Sequence, residues 1–260
     1  MFSPLLFFAY REQTSYKLKR QPNVVLTTFA PKLGYVLMLS SSLTLSAAWM
    51  PLLTPEQRAR VEHDASLQHV LAGTLIERRG EPSLAWLGVI SGLIKISVGN
   101  ADGKIASLTG VPAGGWVGEG SLLKHEHRRY DVVALRDSVI ARVPLATFEW
   151  LLDHSIPFNR FLLHQLNERV AQFIGKAESD RLHDPDARVA RCLAELFNPL
   201  LYPGMGMRLA ITQEEIGYLA RLSRQRVNQA LQSLEKLGLV HVEYGAVEVL
   251  NLMGLRRYGV

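Results

Sequence analysis

The sequence predicts an α+β protein: an N-terminal β jelly-roll, a long helix and a C-terminal winged helix-turn-helix. Three observations carry this. Eleven of the twenty glycines fall between Gly73 and Gly120 and punctuate short apolar runs such as "HVLAGTLIE", "LAWLGVI", "GLIKISV" and "KIASLTG", the texture of short strands joined by tight turns. From Phe158 to Ala177 apolar residues recur in steps of four and three, the signature of a long helix. Near the C-terminus, "ITQEEIGYLARLSRQRVNQALQSLEKLG" holds two helix starts separated by a turn, and the strand-like "LVHVEYGAVEVL" follows.

Composition narrows the function classes. A length of 260 residues, 48% of them apolar, suits one or two ordinary cores. The formal charge of +5 favours an acidic partner only weakly. A single cysteine, Cys192, excludes an internal disulfide and a cysteine-ligated iron–sulfur cluster, fits a reducing cytoplasm and reads as a small buried hydrophobe.

Residues 33–53 carry no charge over a length able to span a bilayer. The basic residues upstream would then export everything after the span, leaving a nucleic-acid module without a target. Serines at 40, 41, 42 and 46 and a threonine at 44 also weaken a lipid-facing helix. Residues 1–48 are therefore read as a poorly ordered extension, or as sequence upstream of a true start at Met38 or Met50, with neither a membrane span nor a signal peptide.

Residues 49–153 form the sensory jelly-roll domain. Thr54 caps a first helix with Pro55 at its first position and Glu56 in its first turn. The glycine-rich runs and "YDVVALRDSVIARVPL" then give seven or eight antiparallel strands, Pro144 ends them, and "LATFEWLLDHS" is a short helix. Residues 154–182 are a dimerisation helix whose stripe Phe158, Leu162, Leu166, Val170, Phe173 and Ala177 pairs with a second copy, while Leu163 and Ile174 face its own domain. Residues 183–260 are the DNA-binding domain, opening on Asp184 as cap and Pro185 at the first helical position.

In that domain Thr212 and Glu215 form a capping box, Gly217 lets the second helix approach, Leu222 plugs the turn, and Ser223 caps the second helix. Val227, Ala230, Leu231, Leu234 and Leu237 make its inner face. Outward lie Gln225, Asn228 and Gln229, whose amides can pair with adenine edges in the major groove. Ser223 and Arg226 suit phosphate, and Arg224 suits phosphate or guanine. No acid occurs from Arg221 to Leu234. The whole of 208–260 has only seven Arg or Lys against five Glu, so local placement carries the DNA reading. Arg221 occupies a turn position that favours left-handed backbone.

From about residue 50 to 260 the chain resembles the Crp/Fnr family of bacterial transcription regulators, through the glycine-punctuated barrel, the long helix "PFNRFLLHQLNERVAQFIGKAESDRL", "SRQRVNQALQSLEKLGLV" and the wing. The resemblance implies a cyclic-nucleotide-binding-like jelly roll, a homodimer, double-stranded palindromic promoter DNA as partner, and RNA polymerase as a further partner. Ser223, Arg224, Gln225, Asn228 and Gln229 match its recognition-helix positions. Gln225 replaces the family's acidic base reader and Gln229 a frequent arginine, which implies a different operator. "GEGSLLKHEHRRYDVVAL" resembles the family's phosphate-binding cassette, so Gly118, Glu119, Gly120, Arg128, Arg129 and Tyr130 are the effector-site candidates, with Glu119 for ribose and Arg129 for phosphate. Tyr130 in place of a small hydroxyl residue disfavours a cyclic nucleotide, leaving an unknown small-molecule effector and no required cofactor.

His125 and His127 lack a third ligand at a recognisable spacing and are read as a solvated basic turn, so no metal site is expected. No G-x-S-x-G, H-E-x-x-H or P-loop pattern occurs, and the protein is not expected to be an enzyme. The competing class is an effector-binding or protein-interaction module whose C-terminal helices contact protein rather than DNA.

Overall fold

Eight strands build the N-terminal lobe: β1 (Ser66–Val70), β2 (Leu75–Glu77), β3 (Ala85–Ser91), β4 (Leu93–Gly99), β5 (Ile105–Pro112), β6 (Trp116–Val117), β7 (Asp131–Ala134) and β8 (Ser138–Pro144). They pair antiparallel in the orders β1-β8-β3-β6 and β2-β7-β4-β5, the strand order of a jelly roll. The computed structural model describes residues 47–99, 105–179, 184–203 and 205–259. Most of the N-terminal extension therefore lies outside the described residues.

Strand periodicity sorts the core. Along β3, Ala85, Leu87 and Val89 point between the two sheets, where they meet Ile94, Val111, Val132 and Ile140. Trp86 points the other way into a second cluster with Trp49, Trp116, Phe148 and Phe158, as side chains on a strand alternate faces. The Trp116 ring lies over Gly88, where a Cβ would come within 2.5 Å of it. Ala47 and Trp49 are fully part of this cluster. The folded domain thus begins no later than Ala47, and a chain starting at Met50 would lack a ring at the centre of the core.

Helix α1 (Pro55–Asp64) has the expected Thr54 cap, closed by Gln57 as a capping box. A one-turn-and-a-half helix α2 (Glu119–Leu123) follows β6, and α3 (Leu145–His154) leads into the long α4 (Ile156–Ser179). Here the stripe divides. Phe158 and Leu162 are buried in their own domain's aromatic cluster and not on a free face. Leu163 and Ile174, expected to pack inward, are 66% and 58% exposed. The reason is geometric: at 3.6 residues per turn a step of four advances about 40° around the helix, so a stripe built of fours drifts off its starting face. After Leu162 the inward face is polar, continuing through Gln165, Arg169 and Lys176. The exposed apolar line is instead Leu163, Val170, Phe173 and Ala177, with Leu166 half-buried among them.

The C-terminal lobe comprises α5 (Pro185–Leu196), β9 (Arg208–Ala210), α6 (Gln213–Ala220), α7 (Arg224–Lys236), β10 (Val240–Glu243), β11 (Ala246–Val249) and α8 (Leu252–Arg257). Asp184 caps α5 through the Asp186 N–H at 3.0 Å. The β10–β11 hairpin turns at Tyr244 and Gly245, and β9 adds a third strand against β11. Sequence reading misses β9, too short for a period, and α8, whose Gly254 masks a helix capped by Asn251. Cys192 is buried as expected, and burial pushes its thiol up to about 12.

The lobes touch along β4 and β5. Leu93 joins the core of the DNA-binding lobe, and Tyr202 Oη donates to the Gly110 carbonyl at 3.1 Å. A Cβ on Gly110 would come within 2.8 Å of both Leu196 and Leu219. Arg136, in the β7–β8 turn, donates twice to the Glu215 carboxylate, at 3.1 and 2.5 Å.

Candidate nucleic-acid interface and sensory cassette

The two-helix unit is built as the sequence anticipates. The Thr212 hydroxyl accepts from the Glu215 N–H at 3.2 Å while the Glu215 carboxylate accepts from the Thr212 N–H at 2.6 Å. A Cβ at Gly217 would lie 2.7 Å from the Leu222 carbonyl oxygen, so glycine is what lets the turn close. Arg221 takes the left-handed conformation at φ 56°, and its guanidinium donates to the Ser107 carbonyl of β5 at 3.3 and 3.4 Å. The Ser223 hydroxyl accepts from the Arg226 N–H at 3.3 Å and caps α7. Val227, Ala230, Leu231 and Leu234 are buried; Leu237 lies just past the helix end and is exposed.

On the outer face, Ser223, Arg224, Gln225 and Gln229 are exposed, and Arg226 and Asn228 half-buried. Arg226 is committed on both sides: it pairs with Asp186 at 3.4 Å and donates to Gln229 Oε1 at 2.8 Å. Asn228 Oδ1 accepts from Gln213 Nε2 at 2.9 Å. A cavity of about 350 Å³ separates this helix pair from the hairpin, bounded by Thr212, Gln213, Arg224, Glu243 and Tyr244. Tyr244 stands fully exposed at the hairpin tip, and Arg208 braces the hairpin by donating to Glu243 at 2.5 Å. Gln213, Asp186 and Tyr244 have no sequence signal of their own; their roles arise from packing.

The cassette at the start of α2 is a different kind of polar site. Gly118 is left-handed at φ 102°, and Glu119 is buried with its carboxylate 3.2 Å from Arg169 of α4. Arg169 also donates to the Trp116 carbonyl. Burial, the largest single influence, works against its charge, but Glu119, Tyr202 and Tyr130 together outweigh it, so its guanidinium titrates above the ordinary value. The two adjacent arginines separate sharply. Arg129, expected on phosphate, is 70% exposed and makes a bidentate pair with Glu126 at 2.7 and 2.8 Å. Arg128 is the inward one, 1% exposed, donating to the Ala85 carbonyl at 2.5 Å and lying 3.5 Å from Glu77. Both lie in the loop between α2 and β7, where the chain turns one side chain inward beneath Gly118 and leaves the next in solvent.

Arg128 Nη1 lies over Gly118, where a Cβ would be 2.0 Å away. Its Nε and Nη1, like Glu119 Oε2, find no hydrogen-bond partner among the described residues. Tyr130 lies against the cassette: burial, with Glu119 behind it, pushes its phenol up to about 12. Gly120 has open space where a Cβ would be. Arg169 could have been found from the sequence, since Gln165 and Arg169 follow Phe158 and Leu162 on one face of the helix. His125, in the turn after α2, adopts φ 49° and sits 3.3 Å from Glu149.

A jelly roll carrying a long helix and a winged helix-turn-helix in one chain defines a class of DNA-binding regulators with a built-in sensory barrel. The comparisons place the chain within that class. Residues 67–155 match the cyclic nucleotide-binding domain and residues 187–258 the Crp-like helix-turn-helix domain. The cAMP-activated global transcriptional regulator Vfr of Pseudomonas aeruginosa is 29% identical over 162 residues, 60% of this chain and 75% of Vfr. The regulator CRP of Haemophilus influenzae is 28% identical over 177 residues, 64% of this chain and 79% of its own. Among solved structures, the c-di-GMP responsive regulator CLP of Xanthomonas campestris superposes with a TM-score of 0.53 at 22% identity, over 75% of this chain and 99% of that one. The protein belongs to the Crp/Fnr family and is a DNA-binding transcription regulator.

Proposed function

We propose that two copies of the chain pair through α4 and set their α7 helices into successive major grooves of palindromic promoter DNA. The observation that carries this is the line Leu163, Leu166, Val170, Phe173 and Ala177 on α4, exposed but for the half-buried Leu166 and spaced three, four, three and four, the seam spacing of a two-helix coiled coil. Pairing through that seam brings two copies of α7 to one DNA duplex. Half-sites then lie one helical turn apart, roughly 34 Å. Ser223, Arg224, Gln225, Asn228 and Gln229 face the DNA in this reading, and Tyr244 lies toward it from the wing. RNA polymerase, in the cytoplasm, is the further partner.

Selection from random duplex DNA with the full chain at two salt concentrations tests the reading. A palindrome that is enriched, with affinity falling steeply as salt rises, is the expected result, because phosphate contacts release counterions. Binding without sequence preference, or to protein alone, favours the interaction-module reading.

For the barrel, the buried Arg128 Nη1 and Glu119 Oε2, which have no hydrogen-bond partner among the described residues, suit a small anion bearing hydroxyls. The Tyr130 ring stands against the cassette beside Glu119, so in this reading a cyclic nucleotide binds only if the phenol withdraws. Titration with cAMP and with c-di-GMP, for the wild type and Tyr130→Ser, tests this: binding by the variant alone identifies Tyr130 as the gate.

A further inference from the structure

We propose that Arg226 sets the base preference of Gln229 by occupying its amide oxygen, so that Gln229 reads guanine through donors alone. The inference rests on the recognition-helix reading above and extends it to a code. A free glutamine pairs bidentately with adenine, its oxygen accepting from N6 and its nitrogen donating to N7. Here the oxygen is taken, since Gln229 Oε1 accepts from Arg226 Nη1 at 2.8 Å. Arginine carries five donors and no acceptor, so the atom facing it is the oxygen and the Gln229 NH₂ is the end turned away.

The brace is anchored in the fold. Arg226 is held on its other side by Asp186 at 3.4 Å, a carboxylate only 17% exposed in the first turn of α5. An amide presenting only N–H groups finds two adjacent acceptors on guanine, O6 and N7, one on adenine or thymine, and an opposing donor on cytosine. Gln225, one turn earlier, makes no side-chain hydrogen bond among the described residues and keeps both functions. The outward amides of α7 are therefore unequal readers: Gln225 suits adenine and Gln229 guanine. Arg226 is a positioning residue, acting on DNA through its neighbour.

The test is base selection from random duplex DNA with the full-length chain and with Gln229→Ala, Arg226→Ala and Gln229→Glu. Gln229→Ala identifies the position by flattening it. At that position the wild type should favour guanine over adenine by at least about fivefold. Arg226→Ala, freeing the oxygen, should bring adenine to within about twofold of guanine, and Gln229→Glu, which only accepts, should move the preference to cytosine. An adenine preference in the wild type that Arg226→Ala leaves unchanged overturns the proposal. So does a Gln229→Ala profile with no flattened position. In that case Arg224→Ala and Gln225→Ala separate the failures: if they change other positions, the brace alone is wrong, and if they change none, the recognition-helix reading falls with it.

Discussion

The cassette and the recognition helix hold similar residues in opposite states. At the cassette, Glu119, Arg128 and Arg169 are buried and spend their charges on one another's neighbourhood: Glu77, Ala85, Trp116. On α7, Arg224 and Gln225 stand in solvent. Burying a charge is costly unless it is paired, whereas an exposed one costs little and stays available. The cassette is thus built to be stable while closed, and α7 to be incomplete until it meets its target. Regulation needs both kinds of site, and α4 joins them, tied to the cassette at Arg169 and open along Val170 and Phe173.

Four experiments break or sharpen this contrast. The largest effect is expected on α7: Arg224→Ala with Gln225→Ala should lower operator affinity by about a thousandfold or more, since each half-site loses two readers, at about 1–3 kcal/mol each. The melting temperature should stay put, and a gel shift with unchanged affinity would remove α7 from the interface. At the cassette the same kind of change strikes the fold instead. Glu77 is also paired with Arg142 of β8 at 2.5 Å; Arg128→Gln leaves it buried with that partner alone and should cost about 3 kcal/mol in urea unfolding, while Arg129→Gln should leave the unfolding curve where it was. Equal costs for the two would reverse their assignment as inner and outer arginines.

Third, Val170→Glu with Phe173→Glu on the exposed line should turn dimers into monomers by sedimentation and weaken operator binding at least about tenfold. The smallest effect belongs to the contact between lobes. Arg136→Ala frees Glu215 from the barrel and should shift operator affinity a few-fold, with the direction showing whether the observed docking favours or opposes DNA. A null result there would leave α4 and the packing of β4 and β5 against the DNA-binding lobe as the links that matter.

Legibility from sequence followed the range of the interaction. The Thr54 cap, the Thr212 capping box, the left-handed Arg221, the tight Gly217 and the strand–turn texture depend on residues a few positions apart, and each is present in the fold. The division of α4 was not legible, because a stripe of fours shows that a helix exists without showing which part of it faces its own domain. That Arg128 is buried and Arg129 exposed was not legible either, because the two sit in a loop whose path is set by packing and not by a period. The roles of Arg226 and Gln213 were hidden because a hydrogen bond between α5, α6 and α7 is set by packing and leaves no period.

All four tryptophans of the chain, at 49, 86, 116 and 150, belong to the sensory lobe. Trp49, Trp86 and Trp116 contact one another with ring centroids 4.4 to 5.2 Å apart, and the Trp116 carbonyl is held by Arg169. The protein therefore carries its own optical probe, confined to one half. Emission excited at the indole band is blind to local events on α7 and sensitive to any change at the cassette, so a spectral shift on adding operator DNA would measure communication between the halves without a label.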